Sequence, residues 1–123
     1  MRFDWSYYLV VAREQFEDAT DTAHKREANL RCSISRAYYS IFHHAKHTLY
    51  DKWNILVSDS ASAHVQVWNF FLKKGEKDIA WKLKYMRSTR NKADYNDYIA
   101  NLEKLALEVL KLAREIVEEL NSL

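Results

Sequence analysis

The chain has 123 residues, enough for one compact domain with a hydrophobic core of its own. Hydrophobic residues make up 48% and charged residues 29%, with a formal net charge of +2, which excludes an intrinsically disordered protein. One glycine, no proline and one cysteine exclude a turn-rich β-sandwich or barrel, the glycine-rich phosphate loops of P-loop and Rossmann proteins, and a disulfide within the chain.

Apolar residues recur at three- and four-residue spacings in five successive segments, the pattern of helices that pack one face against a core. The predicted helices cover about residues 5–18, 23–50, 61–73, 78–92 and 98–120. Asp4 and Asp97 are the expected N-caps of the first and fifth helices, and Gly75 is expected to end the third. The sequence therefore predicts a single all-α domain over residues 1–123, folded as a five-helix up-and-down bundle.

Several features indicate the compartment. No apolar run approaches the roughly 20 residues that span a bilayer. The first residues, with Asp4 among them, do not resemble a signal peptide, and a single cysteine fits a reducing environment. We therefore expect a cytoplasmic protein that does not associate with a membrane.

Charge is distributed unevenly along the second half of the chain. Residues 72–92 contain eight Lys or Arg and two Asp or Glu, a net charge of +6, whereas residues 93–123 carry a net charge of −4. The two segments can pair with each other when their helices pack, which is the interpretation that composition favours. Alternatively, the basic segment can face phosphate groups, with Lys82 and Lys84 pointing outward.

One arginine interrupts the apolar stripe of the predicted fourth helix. At 100° per residue, Arg90 lies close to the middle of that stripe, where a core residue is expected. Two interpretations stay open: the long side chain reaches solvent at the helix end, or the charge is buried and paired. Asp94, four residues later, is the local partner for such a pair.

The second helix carries an unusual polar stripe opposite its aliphatic face. Arg36, Tyr39 and His43 fall within an arc of roughly 60° on an ideal helix. The stripe indicates burial against another element, a dimer partner or a ligand, and a satisfied polar contact within the bundle is the alternative. His43 and His47 have the spacing of a metal pair, but no carboxylate or third ligand accompanies them, so we expect no metal and no cofactor.

Two stretches together resemble a known family. Residues 35–43 read SRAYYSIFH and residues 86–95 read MRSTRNKADY. They resemble the SRAYYAxFH and LRxxRNxADY segments of one branch of the HEPN (higher-eukaryote and prokaryote nucleotide-binding) domain family. The resemblance covers nearly the whole chain, and it implies a five-helix bundle that is frequently a homodimer with a cleft between the protomers.

The family also implies an activity to be tested against these residues. Many members are metal-independent ribonucleases, often toxins, in which an arginine is followed after four to six residues by a catalytic histidine. Arg90 matches the arginine and Asn91 the polar residue after it, but the histidine is missing, because residues 95–97 are Tyr, Asn and Asp. Tyrosine, with an ordinary pKa near 10, is a poor general base at pH 7. This departure argues against ribonuclease chemistry.

The branch without this histidine is typically encoded beside minimal nucleotidyltransferases and is thought to supply substrate or nucleotide binding. In related pairs the nucleotidyltransferase modifies a tyrosine near the arginine motif, and Tyr95 is the matching position here. We therefore expect a homodimeric nucleotide- or RNA-binding module that acts with a minimal nucleotidyltransferase in a toxin–antitoxin-like pair. The expected phosphate- or nucleotide-binding residues are Arg87, Arg90, Asn91, Asp94, Arg36, Tyr39 and His43.

Two other functions remain as alternatives. The chain can be an enzyme, a metal-independent ribonuclease toxin that uses Arg90 with His43 or Tyr95. It can also be a purely structural dimer in which the contact between Arg90 and Asp94 fixes the register of the bundle. With the catalytic histidine missing, we expect the chain not to be an enzyme on its own.

Overall fold

Five helices make up the part of the chain that the computed structural model describes, residues 2–18 and 22–123, and this part contains no strand. The helices are α1 (Ser6–Glu17), α2 (Ala23–Trp53), α3 (Ala63–Lys73), α4 (Lys77–Tyr95) and α5 (Leu102–Asn121). The predicted all-α class and five-helix bundle are therefore confirmed. None of the described helices is both long enough and apolar enough to span a membrane.

The 31-residue helix α2 is the centre of the bundle, because it packs against each of the other four helices. Its aliphatic face is fully buried, with Ile34, Ala37, Ile41 and Leu49 at zero exposure. A small polar residue fits on the side facing α1, where the buried Ser33 hydroxyl donates to the Ala12 carbonyl at 2.7 Å. Side chains on different faces of α2 therefore reach different neighbouring helices.

The predicted start of α1 and the predicted end of α3 have different outcomes. The N-cap of α1 is Trp5 and not Asp4 as predicted, although the Asp4 carboxylate, one residue earlier, accepts the backbone N–H of Ser6 at 3.0 Å. Gly75 has a φ of +80° immediately after α3, and the N–H of Glu76 donates to the Phe71 carbonyl at 2.9 Å. Glycine adopts this left-handed conformation without a Cβ clash, so Gly75 ends α3 and turns the chain directly into α4.

Other predicted ends are wrong. Helix α4 continues to Tyr95, three residues beyond the predicted end, so that Asp94 and Tyr95 are helical. Helix α5 begins only at Leu102, and Asp97 is not its N-cap. The reason is an irregular connection in which Asn101 adopts a left-handed conformation with φ of +54°. Asparagine is one of the few residues that tolerate this conformation.

The acidic helix α5 neutralises part of the basic segment. Lys82 Nζ lies 2.8 Å from Asp78 Oδ2, 2.9 Å from Glu119 Oε1 and 3.3 Å from Glu115 Oε2. Burial lowers the pKa of Lys82, but hydrogen bonds to these carboxylates outweigh it and raise the pKa above its ordinary value. The prediction that Lys82 points outward is therefore wrong, whereas Lys84 is exposed as predicted.

Candidate functional site

Arg90 lies between α4 and α2 with only 14% of its side chain exposed, and its guanidinium is paired. Nη2 donates to the Tyr39 hydroxyl at 2.6 Å, and Nη1 donates to Asn91 Oδ1 at 2.9 Å. Nε lies 2.9 Å from Asp94 Oδ2, an ion pair in which the N–H is not aligned for a hydrogen bond. Of the two interpretations of Arg90, the structure supports the buried and paired arginine, as an isolated buried charge would be strongly destabilising.

Aromatic rings complete the surroundings of this guanidinium. Its central carbon lies 4.9 Å from the centre of the Tyr39 ring and 5.9 Å from the centre of the Tyr95 ring. Ring faces attract a cation at these distances, and more strongly where water is excluded. The Ser35 hydroxyl donates to Asp94 Oδ2 at 3.4 Å, a further contact between α2 and α4. Arg90 is thus held in one orientation by groups from both helices.

The end of α4 is fixed by an arginine that sequence analysis did not single out. Arg31 Nη1 donates to the Ala93 carbonyl at 2.9 Å and to the Asn96 carbonyl at 2.6 Å, and Nη2 donates to the Asp97 carbonyl at 3.0 Å. The last carbonyls of a helix have no intrahelical partner, and a cation there also interacts favourably with the helix dipole. Arg31 therefore fixes the turn that carries Asp94 and Tyr95.

His64 on α3 is a second residue without a predicted role that lies beside Arg90's neighbours. Its Nδ1 is hydrogen bonded to the hydroxyl of Tyr38, and its ring centre lies 4.2 Å from that of Phe42 and 6.3 Å from that of Tyr39. Burial, followed by the nearby charges of Arg87 and Arg90, lowers the pKa of His64 to about 4. No local motif identifies this histidine, because only tertiary packing brings α3 to this face of α2.

Arg87, one turn before Arg90 on α4, is partly buried. Its Nε is fully buried and has no hydrogen-bond acceptor within residues 2–18 and 22–123. A buried donor without a partner destabilises a protein by about 1–3 kcal/mol. We call Arg87, Arg90 and six of the residues described with them the Arg90 cluster: Tyr38, Tyr39, His64, Arg87, Arg90, Asn91, Asp94 and Tyr95.

The predicted polar stripe of α2 is divided between two neighbours. Tyr39 contacts Arg90, whereas the Arg36 guanidinium lies 5.6 Å from the ring centre of Tyr8 on α1. The His43 ring is stacked on Trp5, with ring centres 3.6 Å apart and planes 10° from parallel. A ligand role for Arg36 and His43 stays a prediction. In the described part of the chain, no three His, Cys, Asp or Glu side chains are grouped so as to hold a metal ion.

A match to a family model identifies the family to which this chain belongs. The model of the HEPN domain matches residues 5–123 of the sequence. The chain belongs to the HEPN domain family. No curated protein and no solved structure matches it. The resemblance of the two motifs to this family is thereby confirmed, and the branch within the family stays a prediction from those motifs.

Three rings that can titrate, two of them beside Arg90 and the third on the other side of α2, are uncharged at pH 7. Burial raises the pKa of Tyr38 above its ordinary value, so its hydroxyl keeps its proton. His64, with a pKa of about 4, is neutral at pH 7 and accepts a proton poorly. His43 is similar, because burial and then the charge of Lys46 lower its pKa to about 4. In the cluster, two arginines therefore lie beside a tyrosine hydroxyl and an imidazole that are both uncharged at pH 7.

Proposed function

We propose that this HEPN domain, a single domain over residues 1–123, binds a nucleotide or the phosphates of RNA. In this proposal it works in the cytoplasm as a homodimer, together with a minimal nucleotidyltransferase in a toxin–antitoxin-like pair. The family supports the coarse part of this proposal, because HEPN domains are associated with nucleotides and RNA and often dimerise. One observation carries the assignment to a site: on α4 the Arg90 side chain is only 14% exposed, and Arg87, one turn earlier, has a fully buried Nε without an acceptor in the described part of the chain.

The free donors of these arginines support phosphate binding. Each terminal nitrogen of a guanidinium carries two N–H groups. In Arg90, contacts to Tyr39 and Asn91 use one N–H of each nitrogen, which leaves one on each for a ligand. Arg87, one turn earlier on α4, adds a second positive charge. Guanidinium groups bind phosphate through two parallel hydrogen bonds, and such charge-assisted bonds are about twice as strong as neutral ones. Asp94 holds Arg90 in place and would be the anion with which phosphate competes.

The exposure of Tyr95 supports the proposed nucleotidyltransferase partner. Tyr95 is at the end of α4 with 74% of its surface exposed, while its ring still faces the Arg90 guanidinium. A second protein can therefore reach its hydroxyl without unfolding the helix. A nucleotide attached there would bring its phosphate next to Arg90. We propose Tyr95 as the modified residue on this ground and on the motif that it matches.

The ribonuclease alternative has weaker support. It requires a base, and the two candidates are His43, with a pKa of about 4, and Tyr95, whose phenol is a poorer general base at pH 7 than an ordinary imidazole. His43 is also stacked on Trp5, which holds its ring against α1. We therefore propose that the isolated chain binds RNA without cleaving it.

An affinity series tests the assignment to Arg90. Binding of a fluorescent RNA oligonucleotide is measured for the wild type, Arg90→Ala, Arg90→Lys and the matched control Lys84→Ala, which removes an exposed cation from the same helix. We expect Arg90→Ala to weaken binding at least tenfold. Arg90→Lys should show most of the same loss of affinity, because an ammonium cannot form the two parallel bonds. Lys84→Ala should change affinity less than threefold, as expected of a solvated charge.

The same series can contradict the proposal. Equal losses for Lys84→Ala and Arg90→Lys would mean that binding depends on diffuse charge alone. If the wild type does not bind RNA, the proposed function is wrong. Thermal unfolding of each variant shows whether a loss of affinity reflects a loss of fold, and Arg90→Lys keeps the charge that Asp94 requires.

A further inference from the structure

His64 belongs to neither of the two motifs and to none of the predicted site residues, yet it shares its neighbours with Arg90. Tyr39 connects the two, since its hydroxyl accepts a hydrogen bond from Arg90 Nη2 at 2.6 Å and its ring centre lies 6.3 Å from that of His64. Phe42 lies against the same imidazole, with ring centres 4.2 Å apart. Three helices thus meet here: α2 with the aromatic rings, α3 with His64 and α4 with the arginines.

The contact with Tyr38 fixes which nitrogen of His64 carries the proton. Tyr38 is 1% exposed, and its hydroxyl has His64 Nδ1 as its one hydrogen-bond partner within the described residues. A buried hydroxyl that only accepted a bond would leave its own proton unsatisfied, which destabilises the fold. Tyr38 therefore donates to Nδ1. The proton of the neutral imidazole is consequently on Nε2.

Nε2 is available to a ligand. It makes no hydrogen bond within the described part of the chain, and it is not one of the fully buried polar atoms that lack a partner. Burial and the two arginines keep the ring uncharged at pH 7. A neutral N–H donor is not repelled by the two nearby guanidinium groups, whereas a protonated imidazole would be.

We propose that His64 is a binding residue of the phosphate site, whose Nε2–H, oriented by Tyr38, donates to a phosphate oxygen held by Arg87 and Arg90. The proposal rests on the phosphate-binding function argued above and adds a donor from a third helix. The site then spans α3 and α4, and the residue that completes it lies outside the arginine motif. It also gives His64 a role that requires no proton transfer.

Nuclear magnetic resonance tests the tautomer without any ligand. In a spectrum that correlates imidazole nitrogens with ring protons, His64 of the wild type should show a protonated Nε2 and an unprotonated Nδ1 at pH 7. Tyr38→Phe should reduce this preference, because Nδ1 then loses its donor. Adding inorganic phosphate should shift the Nε2 signal of the wild type. A protonated Nδ1 in the wild type, or an Nε2 signal that phosphate leaves unmoved while Arg90 responds, would overturn the proposal.

Affinity for the RNA oligonucleotide separates this proposal from the function on which it rests. Glutamine places an amide N–H near the position of Nε2, so His64→Gln should stay within about threefold of the wild type, whereas His64→Ala should bind about tenfold more weakly. If His64→Ala binds with wild-type affinity while Arg90→Lys still binds more weakly, the role of His64 is overturned and the proposed phosphate site is not affected. Equal tenfold losses in both His64 variants would also overturn it. If the wild type binds no RNA, both proposals fall together.

Discussion

Arg31 offers a quantitative test of how the end of α4 is held. Arg31→Met keeps the length of the aliphatic side chain and removes the donors to the Ala93, Asn96 and Asp97 carbonyls. The bond to Ala93 is partly buried, and a charged hydrogen bond of this kind contributes about 1.5–3 kcal/mol. The two exposed carbonyls can turn to water, so they add roughly 0.5 kcal/mol each at most. We expect the free energy of unfolding to fall by about 3 kcal/mol.

Urea denaturation and calorimetry measure this change. For a domain of this size, 1 kcal/mol corresponds to roughly 4 °C, so the melting temperature of Arg31→Met should fall by about 12 °C. Hydrogen exchange should quicken first in the last turn of α4, at the amide of Asn96, which donates to the Lys92 carbonyl at 3.0 Å. Arg114→Met, on the exposed face of α5, is the matched control and should change stability by about 0.5 kcal/mol or less. Equal small effects in the two variants would refute the reasoning.

Three further predictions concern protonation, modification and chemistry. His43 and His64 have pKa values of about 4 in the folded chain and an ordinary value of 6.5 when unfolded, so between these values the unfolded chain binds protons that the folded chain does not. The contribution of these histidines to stability should therefore be complete above pH 6.5 and be lost as the pH falls towards 4. Chemical denaturation across this range should show a shallower fall for His64→Gln than for the wild type. Co-expression with a minimal nucleotidyltransferase should add mass to the wild type but not to Tyr95→Phe, and modification of Tyr95→Phe would contradict the assignment. The control Tyr98→Phe removes a tyrosine that is 81% exposed and should still gain the mass. Purified protein should leave RNA intact at pH 7, and metal-independent cleavage that His43→Ala abolishes would favour the ribonuclease.

Local periodicity is enough to predict the features that depend on one helix at a time. The spacing of apolar residues predicts five helices because each helix buries a single stripe. The same 100° arithmetic places Arg90 inside that stripe, where the structure has it, and Asp94 one turn later as its partner. Gly75 is predictable as a helix end for a similarly local reason, since it is the one residue without a side chain.

Features that depend on how helices meet could not be predicted in this way. Arg31 is 62 residues from the Ala93 carbonyl that it binds, and no local pattern joins the two. His64 acquires neighbours only when α3 packs on α2, and Lys82 turns inward only because α5 brings it carboxylates. Asp97 is a typical cap residue, so the sequence predicts that α5 starts there, whereas the helix follows Asn101, whose left-handed conformation is set by the connection.

The tight turn at Gly75 makes α3 and α4 a helical hairpin, and this has a consequence for how ligands would be detected. Four polar contacts join the hairpin to α2 within the Arg90 cluster and beside it: Tyr38 with His64, Tyr39 with Arg90, Ser35 with Asp94, and Arg31 with the Ala93 carbonyl. Tyr38 and Tyr39 of α2 orient His64 and Arg90, so an anion held by these two side chains would favour the docked hairpin, and occupancy and docking would be thermodynamically linked. At a hundred times its dissociation constant, a ligand adds about 2.7 kcal/mol to the docked state. The exchange rates of α3 amides, on a helix that carries no arginine, would then report on the phosphate.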